Sequence, residues 1–146
     1  MRAFTRDRLF IISLILCLGL APILGCGANS KQIQDSTIII VGQNAGYYVY
    51  RFVPEARVPL ATICLISDFS DPDATAAKLK ELLGEIWTKA DQLTDQDARQ
   101  AIVLVNSLVE LLNINLANEK AERAKEILKL VITNVCKGVG AQAPVV

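Results

Sequence analysis

The sequence has no histidine. That absence removes the commonest general base and the commonest metal ligand together. A charge surplus is also missing, since 15 Lys and Arg balance 15 Asp and Glu. With no basic block either, nothing marks a nucleic-acid footprint. No Walker or dinucleotide glycine pattern occurs. No S-x-x-K spacing links Ser67 or Ser70 to a lysine such as Lys78 or Lys80, which excludes the familiar serine–lysine arrangement. The four cysteines, Cys17, Cys26, Cys64 and Cys136, contain no C-x-x-C pair and so suggest neither a redox motif nor a zinc site. No repeat of fixed period is present. By subtraction, the chain is expected to be non-catalytic, without cofactor or metal.

What is present begins with one long apolar run. Residues 9–24 are apolar apart from Ser13 and small Gly19, and Arg2, Arg6 and Arg8 precede them, offset only by Asp7. As helix, those 16 residues rise roughly 24 Å at about 1.5 Å each, short of the roughly 30 Å hydrocarbon core of a bilayer. The pattern suits a cleaved secretory signal better than a membrane span; an uncleaved helical anchor is the alternative. The run ends in Ile23-Leu24-Gly25-Cys26, which resembles the lipobox of bacterial lipoproteins, with Ile23 and Leu24 replacing the commoner leucine and small residue.

The resemblance covers the N-terminal 26 residues and implies cleavage before Cys26 and lipidation of that cysteine. The lipid would be a diacylglyceryl group and an N-linked acyl chain such as palmitate. Several chains would make the anchor durable, since one holds a protein only marginally. The lipoprotein would then face the periplasm from the cell envelope. Gly27 stands where aspartate is the inner-membrane retention signal in enterobacterial lipoproteins, so the outer membrane is favoured in a Gram-negative organism. Residues 1–25 are accordingly read as signal peptide, 26–30 as a short tether, 31–138 as the domain and 139–146 as a loose tail.

Removing the signal leaves 121 residues with 12 Lys and Arg against 14 Asp and Glu, the size of one domain with one core. Cys64 and Cys136 remain in a compartment that permits disulfides. They are either bonded or two buried thiols acting as small apolar residues.

The expected fold is all-α, a small antiparallel bundle of four to five helices. In 31–53, Ile38, Val41, Ala45, Tyr48 and Phe52 recur at helical spacing. Gly42, Gly46, Val49 and Val53 form an adjoining face that would let another helix backbone come close. The β-branched and aromatic content keeps a hairpin at 37–53, and hence an α+β fold, as the alternative. Pro54 and Pro59 bracket a break, and 60–66 is a short buried helix or strand. Asp71 as cap and Pro72 in the first turn open a helix at 72–93. Thr94 with Asp97 resembles a capping box for a helix at 95–116. This helix is apolar well beyond one stripe, and a surplus left uncovered would mark a partner, a lipid groove or self-association. A last helix is expected at 119–137, ended by Gly138.

Asp68, Asp71 and Asp73 form the densest acidic cluster, and capping explains it better than metal binding. Tyr47, Tyr50 and Arg51 are the candidate partner surface, because aromatics and arginine are enriched at binding hot spots; core packing is the competing reading, especially for Tyr48. The functional expectation is a lipid-anchored interaction or scaffold domain that binds an envelope protein or itself. The alternatives are a carrier holding an apolar ligand within the bundle and a phage-derived envelope lipoprotein, such as an exclusion or lysis accessory.

Overall fold

The computed structural model describes residues 28–117 and 119–145. Cys26 and the proposed cleavage site lie outside them. Five α-helices follow one another: α1 (Ala28–Phe52), α2 (Arg57–Cys64), α3 (Pro72–Asp91), α4 (Gln96–Leu116) and α5 (Ala121–Gly140). A 3-10 turn, Pro54–Ala56, joins α1 to α2. Among the described residues there is no strand, and no helix is long and apolar enough to cross a membrane. Asp35 to Val146 form one compact unit.

The stretch 31–53 is helix and not hairpin. Its buried line differs from the expected stripe. Ile38, Gly42, Ala45, Gly46, Val49 and Val53 are buried, while Val41, Tyr48 and Phe52 are half-buried. Rotation onto the glycine side follows from the neighbour, because α5 presents backbone there. A Cβ at Gly46 would overlap the Val135 carbonyl oxygen, and one at Gly138 the Gln43 carbonyl oxygen. Gly138 is thus a packing residue inside α5; it does not end the helix at Lys137 as expected, and α5 continues to Gly140. Gln43 Nε2 donates to Asn134 Oδ1 at 2.9 Å, and Asn134 Nδ2 donates to the Leu130 carbonyl at 2.7 Å. These bonds satisfy the amide of Asn134, a buried polar side chain.

Proline shapes the α1–α2 corner. Pro54 lacks an N–H and begins the 3-10 turn, and Pro59 sits in the first turn of α2, where its missing donor costs little. The helix reading of 60–66 therefore holds, with Pro59, Leu60 and Ile63 buried. Cys64 at the end of α2 is joined to Cys136 on α5 by a disulfide with Cα atoms 5.7 Å apart. Across 72 residues, such a cross-link is worth about 4 kcal/mol at most by chain entropy.

The α3 start follows its signal. Asp71 accepts from the Asp73 and Ala74 backbone N–H groups, both at 3.0 Å, and Pro72 is the first helical residue. The start of α4 does not follow the expected box. Asp95, not Thr94, takes the N-cap position without a side-chain bond, and its carbonyl accepts from Arg99 N–H at 3.1 Å. Between the two helices the core is conventional. Leu79, Leu83 and Ile86 of α3 are buried with Ala101, Val105, Leu108 and Leu112 of α4. The apolar surplus of α4 is divided: Ile102, Leu104, Val109 and Leu111 pack against the core, whereas Val103 and Ile114 are exposed.

One ion pair ties α1 to α5. Arg123 Nη2 lies 2.6 Å from Asp35 Oδ1, and Arg123 Nη1 is 3.1 Å from Glu126 Oε2. The bond to Asp35 holds the guanidinium pKa above its ordinary value, against a smaller opposing effect of burial. The expected loose tail is held as well. Val145 N–H donates to Asn44 Oδ1 at 2.7 Å, Asn44 Nδ2 donates to the Val145 carbonyl at 3.0 Å, and Arg51 Nη2 donates to the Ala141 carbonyl at 2.7 Å.

Candidate partner surface

The last turns of α1 carry all three tyrosines of the chain, Tyr47, Tyr48 and Tyr50. Helical rotation of about 100° per residue sets Arg51 about 40° from Tyr47 but about 100° from Tyr50, which lies about 60° to the other side of Tyr47. The structure accordingly divides the three expected residues between two cation–π pairs. The Arg51 guanidinium lies 4.8 Å from the Tyr47 ring centroid. Tyr50 instead meets Arg57, whose guanidinium carbon is 5.0 Å from its ring centroid and whose Nε donates to the Tyr50 carbonyl at 2.9 Å.

Tyr48 is packed edge-on to Tyr47, with centroids 5.2 Å apart, and lies 5.7 Å from Phe52. It is half-buried against the core, so the core reading fits Tyr48 in part. Tyr50 is 40% exposed and Arg51 is exposed, whereas Tyr47 is half-buried. Each arginine is thereby oriented by a ring, which reduces the side-chain entropy that any further contact made by it would cost. Arg57 was not among the expected residues. Its pairing with Tyr50 crosses the Pro54 corner, where no helical period extends.

Other candidate chemistry is accounted for locally. Asp68 Oδ1 accepts from Ser70 N–H at 2.9 Å, and the Ser70 backbone and side chain together hold the Asp68 carboxyl below its ordinary pKa. Asp71 is committed to capping α3. Among the described residues, no group of three His, Cys, Asp or Glu is arranged to hold a metal ion. A cleft of about 600 Å³ lies where the start of α3 meets the α4–α5 connection. Asp73, Lys80, Asn113 and Glu119 share its lining with alanines and Leu116, and it is open to solvent.

Comparison with family models, curated proteins and solved structures finds no match to this chain.

Proposed function

We propose that the chain is a lipid-anchored, non-catalytic interaction or scaffold domain of the cell envelope, held at a membrane surface through Cys26 and binding another envelope protein or a second copy. The observation that carries this reading is the N-terminal pattern: three arginines, a 16-residue apolar run and Gly25-Cys26. The expected tether runs to Ser30, but α1 begins at Ala28, so Gly27 alone separates the helix from Cys26. One residue spans at most about 3.6 Å, which keeps the domain close to its membrane.

Two features of the folded part support the reading. A Cys64–Cys136 disulfide suits an oxidising compartment. The paired Tyr47–Arg51 and Tyr50–Arg57 side chains supply the residue types that dominate protein interfaces.

Intact mass of the detergent-extracted protein tests the anchor. The expected mass is that of residues 26–146 plus acyl chains, rising by about 2 Da on reduction as two thiols replace the disulfide. Cys26→Ser should leave an unprocessed, unacylated chain. A full-length, unmodified mass for the wild-type protein would overturn the proposal.

A further inference from the structure

We infer that the outward face of α2, formed by Val58, Ala61 and Leu65 with Arg57 and Tyr50 at its edge, rests in the surface of the bilayer that carries the chain's lipid. This inference rests on the membrane placement proposed above and adds a second point of contact to Cys26.

The helix α2 is apolar on both sides. Pro59, Leu60 and Ile63 are buried in the bundle. Val58, Ala61 and Leu65 recur at +3 and +4 on the opposite side, and all three are exposed, Val58 by 76% and Leu65 by 80%. A helix on the surface of a globular domain carries charged or polar residues on its outer side, yet residues 58–67 include no charged side chain. Thr62, which bears the one hydroxyl of α2, is half-buried and donates to the Val58 carbonyl at 3.0 Å. The exposed apolar residues of α4 differ. Val103 and Ile114 are separated by exposed Asn106, Glu110 and Asn113, so each stands alone, as scattered apolar side chains commonly do on a protein surface.

A bilayer fits the α2 face better than a protein does. Three side chains on an 8-residue helix fall well short of the roughly 800 Å² that each partner contributes to a standard protein interface. A second copy meets the same limit. A lipid surface sets no such minimum, because a chain already anchored meets the bilayer at high effective concentration. The edge of the face has the composition of a membrane interface, with the exposed Arg57 guanidinium 5.0 Å from the centroid of the exposed Tyr50 ring. With the aliphatic side chains at the acyl boundary, Arg57 reaches the lipid phosphates and the Tyr50 ring sits at headgroup level. The nearest carboxylates, Glu55 and Asp68, lie beyond the two ends of α2. Lipid thereby takes the Tyr50–Arg57 pair and leaves Tyr47–Arg51 for a protein partner. The contact also sets an orientation. Phe52 lies 17 residues beyond Asp35 on α1, roughly 26 Å at about 1.5 Å per residue. A bundle standing upright on Cys26 would hold α2 clear of the bilayer, so the contact requires α1 to lie along the surface.

The test uses the full chain reconstituted in vesicles of phosphatidylglycerol and phosphatidylethanolamine, with and without bromine on the acyl chains to quench nearby tryptophan emission. Leu65→Trp puts a reporter on the α2 face, Val103→Trp puts one on α4, and the wild-type chain supplies the Trp87 background. Brominated vesicles should remove most of the emission that Leu65→Trp adds and little of what Val103→Trp adds. Adding Val58→Asp should restore the emission of the Leu65→Trp chain, because a carboxylate on the face opposes its burial. Thermal melts establish that each chain is folded, and Val58→Trp with Leu65→Asp replaces a pair that is not. Unquenched emission from position 65 overturns the inference, either red-shifted, as from a face left in water, or blue-shifted and dependent on protein density, as from a face covered by a second copy. Equal quenching at positions 65 and 103 overturns it too, as does quenching that Val58→Asp leaves unchanged. An unacylated, full-length mass would instead overturn the anchor at Cys26, with residues 9–24 holding the chain in the vesicle and the quenching still readable.

Discussion

The contact of α1 with α5 and that of α3 with α4 bury helix faces in opposite ways. Between α3 and α4 the interface is filled by branched side chains, with Leu79, Leu83, Ile86, Leu108 and Leu112 all essentially inaccessible. Between α1 and α5 it is formed where side chains are missing. Gly42, Gly46 and Gly138 bring the two backbones together, and the polar pair Gln43–Asn134 runs alongside. The first interface is stabilised chiefly by apolar area removed from water. The second depends on close backbone approach and on satisfied polar groups, so its tolerance is limited by added atoms and not by removed ones.

The largest effect is therefore expected from addition. Gly46→Val places a branched side chain against the Val135 carbonyl, backbone that cannot rotate aside. Overpacking typically costs 1–3 kcal/mol and occasionally more, and with rigid backbone as the obstacle about 4 kcal/mol is expected here. That is a large share of the 5–15 kcal/mol that holds a typical domain. Denaturant unfolding measures it. A loss below about 1 kcal/mol would mean that α5 moves away freely, and the distinction between the two interfaces would collapse.

Removal should act in the other interface. Leu108 has no exposed surface, and Leu108→Ala is expected to cost about 3 kcal/mol, within the usual range for a buried leucine. Leu108→Met, which nearly conserves volume, should cost less than about 1.5 kcal/mol. Similar losses for both substitutions would show that something other than filled volume sustains the α3–α4 contact.

The same division explains how much of the molecule could be read in advance. The existence of α3, α4 and α5, and the Asp71 cap, were legible because leucine-rich periodicity and capping residues are local signals. For α1 the helical period was visible in Ile38, Val41, Ala45, Tyr48 and Phe52, but its buried face was misplaced by part of a turn. Hydrophobicity marks where side chains want burial, whereas Gly42 and Gly46 are buried because of what another helix brings to them. Gly138 was misread for the same reason: a glycine near a helix end looks like a terminator until α1 is seen against it. The Asn44–Val145 bonds join residues 101 apart, and Arg57 reaches Tyr50 around a proline corner; no spacing rule connects either pair. Of the candidate surface, residue types were foreseeable, and their division into Tyr47–Arg51 and Tyr50–Arg57 required the fold.

The smallest effect has the opposite sign and isolates the cause. Gly84 lies in the middle of α3, exposed, and a Cβ added there meets nothing within 4 Å. Its contribution is then purely conformational, because glycine loses more backbone freedom on helix formation than alanine does. Gly84→Ala should stabilise the domain by about 0.5–1 kcal/mol, read as a rise in the denaturant midpoint with unchanged slope. The identical change at Gly46 gains the same entropy but places its methyl carbon in the Val135 carbonyl, so the sign must reverse. If both alanines stabilised the protein, helix propensity alone would govern these glycines and the close crossing of α1 over α5 would carry no energetic weight. Opposite signs from one substitution at two helical glycines would assign the difference to the crossing itself.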